Sequence, residues 1–361
     1  MPGSSSQASS GSLERVFGSP AGRFDASGFF MQDRVPMSEL HKFIFDGMPV
    51  RGMLVRLTDA WQEILARREA AGSYPPEVEQ LLGQMTAAGT LMQGNIKFNG
   101  ALVLQISGDG PLKLAVVEVQ SDLSVRATAT LGPQGAAGVQ AGASLSQMVN
   151  VNNQGRCAIT LDPQDRQPGQ QPYQGVVPLF GDRQEKLEKI SEVLEHYMLQ
   201  SEQLDTRLVL AANRNLAAGL LIQRLPVLGQ GNLAGRLDRD ANEDQIGRSE
   251  DFNRIAMLAA TLQPQELLGL SADEVLHRLF WEEPITRFEP LRPRFACKCS
   301  RQRVTQMLRS LGQAEVQSII AEQTRVEVGC DFCGIKYRFD AVDAAQLFAG
   351  TFDQPPSSSL Q

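Results

Sequence analysis

Near the C-terminus, Cys297-Lys298-Cys299 and Cys330-Asp331-Phe332-Cys333 are separated by thirty residues. Two close cysteine pairs flanking a loop have the spacing of a tetrahedral thiolate zinc site. Each pair supplies one edge of the tetrahedron, at Zn–S distances of about 2.3 Å. The second pair has the ordinary knuckle form, with Gly334 behind it to let the backbone turn. The first pair is tighter, but residues i and i+2 of an extended chain share a face, so Cys297 and Cys299 can converge on one ion. The expectation is one Zn²⁺ per chain, held by Cys297, Cys299, Cys330 and Cys333.

Four of the five cysteines lie in this set. An odd total with four in metal spacing points to a reducing compartment rather than a disulfide framework. A length of 361 residues allows two or three domains, and 42% hydrophobic with 21% charged residues is the composition of a globular protein. The net charge of −7 disfavours a protein whose main work is gripping nucleic acid. No apolar run has membrane-spanning length, and the N-terminus lacks the layout of a secretory signal. Cytoplasmic localisation is expected, or an organelle if the N-terminal extension, with Arg15, Arg23 and Arg34, is a transit peptide. Glu14, Asp25 and Asp33 speak against a transit peptide, and a flexible tail over 1–36 is the better reading.

The patterning predicts an α+β fold. A mixed sheet-and-helix domain over 37–248 precedes a helical linker over 249–293. A small Cys₄ zinc-binding domain over 294–350 and a tail over 351–361 complete the chain. Val50 to Leu57 reads as a strand, with Thr58 as the cap of the helix that follows, and Tyr74-Pro75-Pro76 breaks the chain before a second helix. Leu102–Ile106, a turn at Ser107 to Pro111 and Leu112–Val119 read as a hairpin. Further strands are expected at Val125–Leu131, Cys157–Leu161, Gly175–Leu179, Arg207–Ala211 and Leu216–Leu225. Gln184 to Gln200 has a clear helical period through Leu187, Ile190, Leu194 and Met198. Gly229 to Gly247 reads as a surface loop. Ser249 caps a helix, Pro264 interrupts it, and Ser271 with Glu274 forms a capping box ahead of Val275, Leu276, Leu279 and Phe280. The final module reads as strand, two helices from Arg301 to Glu322, two short strands around the knuckle, and a helix over Ala341–Phe348. It is too short for a self-sufficient core, so metal is expected to hold it folded.

A closed Cys₄ site is ordinarily structural. The sharper alternative is a redox switch, because thiolate is the oxidisable form of cysteine and a metal keeps it deprotonated. If an oxidant enters, neighbouring partners favour Cys297 with Cys299 and Cys330 with Cys333, the first a strained small ring that is readily reduced. Arg294, Lys298, Arg301, Arg303, Lys336 and Arg338 are available to offset the charge of four thiolates. They could equally meet phosphate, which makes a constitutive zinc-ribbon nucleic-acid binder the alternative, though interleaved acids leave no uniform basic face. Cys157 reads as a buried inert thiol. The histidines His41, His196 and His277 suggest no catalytic set, and Gly229 to Gly235 misses the dinucleotide fingerprint by one residue. No enzymatic activity is expected, and an enzyme of thiol–disulfide exchange ranks last.

Taken together, Cys297-Lys298-Cys299-Ser300-Arg301, Cys330-Asp331-Phe332-Cys333-Gly334, Gly108-Asp109-Gly110-Pro111-Leu112, Tyr173-Gln174-Gly175-Val176-Val177 and Ser201-Glu202-Gln203-Leu204 make the chain resemble the 33 kDa heat shock protein family of redox-regulated chaperones over most of 37–350. The resemblance implies an ATP-independent holdase that is inactive with zinc bound. Oxidant would form two disulfides and release the metal, and the linker would unfold to expose apolar surface that captures unfolding client proteins. It also implies a homodimer in the oxidised, active state; no membrane partner is expected from the lack of a long apolar run, and the net charge speaks against nucleic acid as a partner.

Overall fold

The computed structural model describes residues 36–69, 72–166, 169–225 and 249–349. The expected N-terminal tail up to residue 35, the Gly229–Gly247 loop and the C-terminal tail lie outside them.

The α+β expectation holds, and the strands form two main sheets. β1 (Glu39–Phe45) and β2 (Val50–Leu57) make an antiparallel hairpin, in which Gly47 takes the turn with φ +78°. α1 (Asp59–Glu69) and α2 (Pro76–Asn95) follow. The predicted hairpin is β3 (Gly100–Ser107) with β4 (Leu112–Gln120), extended by β5 (Ser124–Leu131). After the short α3 (Leu145–Val149), β6 (Arg156–Pro163) and β7 (Tyr173–Pro178) widen this sheet. α4 (Ile190–Glu202) then leads to β8 (Thr206–Ala212) and β9 (Ala217–Arg224), which complete the first sheet beside β2.

α4 is shorter than the predicted Gln184–Gln200 helix. Its first turn begins at Ile190, where the Glu192 carboxylate accepts from the amides of Glu188 and Lys189. Leu187 N–H is meanwhile bonded to the Leu179 carbonyl, and Gln184 has φ +62°. A tertiary turn therefore overrides a periodic pattern at its start.

α2 touches strands of both sheets. Apolar side chains from α2 and from the facing surfaces of the two sheets form one core, among them Leu82, Met85, Leu91, Met53, Leu104 and Val117. Strand alternation sends neighbouring residues of the first sheet to opposite sides. Met53 and Leu221 join that core, whereas Leu54, Leu220 and Ile222 join a second cluster on the far face.

That far face is covered by the linker. α5 (Glu250–Ala260), α6 (Pro264–Gly269) and α7 (Ala272–Phe280) set Phe252, Ile255, Leu267, Val275, Leu276 and Phe280 against Phe43, Phe45, Val50, Leu54, Leu220 and Ile222. The predicted caps are present: Ser249 Oγ accepts from Phe252 N–H, and Ser271 and Glu274 cap each other reciprocally. Pro264 stands at the start of α6, where its missing N–H costs nothing. Phe280 meets Phe45 edge-on at 5.0 Å between ring centroids, and Phe43 packs beside both. Gly52, opposite Phe43 in the hairpin, makes room for that ring, since a Cβ there would lie 2.1 Å from it.

The linker is not helical to its end. Ile285–Arg287 forms β10 on the outer edge of β1, and Arg294–Phe295 forms β11, which runs parallel to β5 on the edge of the second sheet. The remainder comprises α8 (Arg301–Leu311), α9 (Gln313–Gln323), β12 (Val326–Gly329), β13 (Lys336–Phe339) and α10 (Ala341–Phe348) around a small cluster that includes Leu308, Val316 and Phe339.

Candidate metal centre

β11 delivers Cys297 and Cys299 from the sheet edge, and the turn after β12 delivers Cys330 and Cys333. That turn is a knuckle: Gly334 N–H bonds to the Cys330 carbonyl, Cys330 N–H bonds to the Ile335 carbonyl, and Gly334 has φ +69°. Sulfurs that are far apart in sequence thereby converge. All four Sγ atoms lie within 4.8 Å of one another, with Cys297 and Cys330 at 3.6 Å and Cys299 and Cys333 at 3.2 Å. A tetrahedral ion at ordinary zinc–sulfur distance needs sulfurs about 3.8 Å apart. The four thiols therefore form a group that can bind a metal ion, and their soft sulfur donors suit zinc.

Among the described residues, one side chain of the core reaches this set. The Arg126 guanidinium, from β5, lies 3.7 Å from Cys297 Sγ and 2.5 Å from Glu118 on β4. It also stacks on the ring of Phe332, with its central carbon 4.2 Å from the ring centroid. Burial works against the Cys297 thiolate, but hydrogen bonds from the Cys299 backbone and side chain and from Arg126 overcome it and lower the thiol to about 7. Burial raises Cys330 and Cys333 instead. The Tyr337 hydroxyl donates to Cys299 Sγ at 3.3 Å, and this bond raises the phenol to about 12.

The cations expected near the sulfurs are largely engaged elsewhere. Arg294 pairs with Asp122, Lys298 with Gln120, Arg301 with Asp343, and Lys336 and Arg338 with Glu327. These surface cations take nearby carboxylates or, for Lys298, a side-chain amide oxygen; Arg126, which reaches sulfur, is 171 residues away from Cys297 in sequence. Arg126 and Tyr337 were invisible to sequence reasoning, because neither belongs to a motif. The other candidates stay apart from the centre. Cys157 is fully buried in β6, and desolvation pushes its thiol up to about 12. His41 lies in β1 beside Glu39, His196 in α4 near Asp182, and His277 in α7.

The fold is a two-sheet α+β domain with short helices over one face, followed by a small segment whose four thiols could hold a metal ion. The family model described as Hsp33 protein matches residues 38–340. The chain is 46% identical over 310 residues to the 33 kDa chaperonin of Chromobacterium violaceum, covering 86% of this chain and 93% of that one. It is 44% identical over 317 residues to the 33 kDa chaperonin of Methylobacillus flagellatus, covering 88% and 96%. The crystal structure of the 33 kDa chaperonin of Thermotoga maritima shares the fold with a TM-score of 0.65 at 20% identity, over 87% of this chain and 98% of that chain. The chain belongs to the Hsp33 family of chaperones.

Proposed function

We propose that this chaperone is an ATP-independent holdase switched by oxidation, with a core over 37–248, a linker over 249–293 and a redox module over 294–350. In the resting state Cys297, Cys299, Cys330 and Cys333 hold one Zn²⁺, which would supply the folding energy of a module whose own apolar cluster is small. Oxidation forms Cys297–Cys299 and Cys330–Cys333. Each bond takes two electrons from two thiolates, and with hypochlorous acid as oxidant the products are one disulfide, chloride and hydroxide. Sulfurs paired in this way no longer serve as metal ligands, so the module loses its organising centre.

One observation carries this reading: the linker helices bury an apolar sheet face, and the strand that directly follows the linker runs into Cys297. Loosening the cysteine set frees β11, then β10, then the helices, which uncovers apolar surface for unfolding proteins while the main core stays intact. The active form is read as a homodimer acting in the cytoplasm. The test follows zinc release and suppression of client aggregation together, as hypochlorite, or peroxide at raised temperature, is added to the full chain. Both should rise in step. Retained zinc, or zinc loss with no gain in suppression, would sink the reading.

A further inference from the structure

We propose that Arg126 is the contact through which the core reads the state of the cysteine set; this rests on the redox reading above. The module docks on the β4–β5 hairpin and on α1 through several contacts. Arg294 N–H bonds to the Leu123 carbonyl and Ala296 N–H to the Val125 carbonyl, both at 3.2 Å. Arg294 pairs with Asp122, Lys298 bonds to Gln120, and Arg67 lies over the Phe295 ring at 5.2 Å. None of these involves sulfur, so none changes directly when a cysteine is oxidised.

Arg126 differs from them. It holds Cys297 by hydrogen bond and stacks on Phe332, which lies between Cys330 and Cys333, so it touches one sulfur and the knuckle that carries two others. Its side chain and that of its partner Glu118 are each 16% exposed, so water screens the interaction only partly. A guanidinium bonds strongly to a thiolate and weakly to a neutral disulfide sulfur. When Cys297 and its partner give two electrons to hypochlorous acid, the sulfurs lose two negative charges, and chloride and hydroxide carry them away. Arg126 then keeps Glu118 but loses its anionic sulfur, and the displaced knuckle takes Phe332 with it. The coupling is reciprocal: docking against Arg126 favours the thiolate form, and loss of that form favours undocking.

The experiment uses full-length, zinc-loaded protein, reduced or oxidised with hypochlorite, as wild type, Arg126→Met, Arg126→Lys and Arg294→Ala. Amide exchange at Arg294 and Ala296 reports docking, and exchange in α2 reports the integrity of the core. Oxidation of the wild type should speed exchange at Arg294 and Ala296 at least tenfold. Reduced Arg126→Met should already exchange about tenfold faster there, with α2 unchanged and zinc retained, and oxidation should add little. Its half-maximal hypochlorite dose should fall at least twofold. Arg126→Lys, which keeps the charge, should fall between Arg126→Met and the wild type, and it replaces Arg126→Met should that variant lose α2 protection. Arg294→Ala should speed exchange in both redox states by a similar factor and leave the dose unchanged. Wild-type exchange in reduced Arg126→Met overturns the proposal, as does an equal dose shift in Arg294→Ala. If wild-type protein keeps its zinc under oxidant, the redox reading itself falls and this proposal with it. If the wild type responds and Arg126→Met responds to the same degree, only the role of Arg126 falls.

Discussion

The two faces of the five-stranded sheet are buried by different means. One is sealed by α2, a twenty-residue helix that also touches the second sheet. It packs so closely that a Cβ on Gly83 would lie 2.5 Å from the Cβ of Ala212. The other face is covered by α5, α6 and α7, of eleven, six and nine residues, with their caps built in and their outer sides facing solvent. Helices that short are marginal in water without a surface to pack on. Both faces exclude water equally well, so degree of burial does not separate a permanent cover from a removable one. The number of layers differs: α2 has a sheet on both of its sides, whereas α5, α6 and α7 have a sheet on one side only, and under the switch proposed above these helices are the removable cover.

The largest effect that could break this comparison comes from one truncation made on each side. Leu82 in α2 and Leu276 in α7 are both buried and chemically identical. Leu82→Ala should cost about 2–5 kcal/mol of global stability. Leu276→Ala should instead appear as local opening, with faster proteolysis of the linker and more binding of an apolar dye, while the denaturation midpoint of the core barely moves. If Leu276→Ala lowers the core midpoint as Leu82→Ala does, the two covers are one cooperative unit.

A smaller effect probes the sealed side through Cys157, whose thiol is raised from the ordinary value of 9.0 to about 12 by burial. The folded state holds this proton more tightly than the unfolded state, so the contribution is fully present below pH 9 and fades as pH rises from 9 towards 12. The expected slope is about 1.4 kcal/mol per pH unit within that window. Denaturation of wild type and Cys157→Ala at pH 8 and pH 10 checks it, and a constant difference between them would contradict it. The smallest effect probes the removable side. Ser271→Ala removes the cap of α7 at a cost of about 1 kcal/mol, read as roughly fivefold faster exchange of the first α7 amides.

Much of this division was legible in the sequence. The cysteine spacing picked out the four thiols that the fold gathers, the glycine-rich turn located the β3–β4 hairpin, and Ser249 and Ser271 marked the starts of α5 and α7. What stayed hidden has a common cause. β10, at three residues, is too short to show a period and forms on the free edge of β1, and although a strand is expected ahead of Arg301, the parallel pairing of β11 with β5 was not legible. The helix read from Gln184 starts only at Ile190, because the stretch before it is held by a tertiary bond from Leu187 to Leu179. Arg126 sits in an ordinary strand, and only the packing of the module reveals its partner.

The short strands have one more consequence. Residues 285–296 occupy an outer edge of each main sheet, bonding to β1 through Phe288 N–H and the Lys42 carbonyl and to β5 through Ala296 N–H and the Val125 carbonyl. Lifting that segment uncovers two open rows of main-chain donors and acceptors as well as apolar side chains. Such rows pair with any extended polypeptide whatever its side chains, because every residue but proline presents the same N–H and C=O. A surface of that kind is indifferent to sequence and selective for lack of structure.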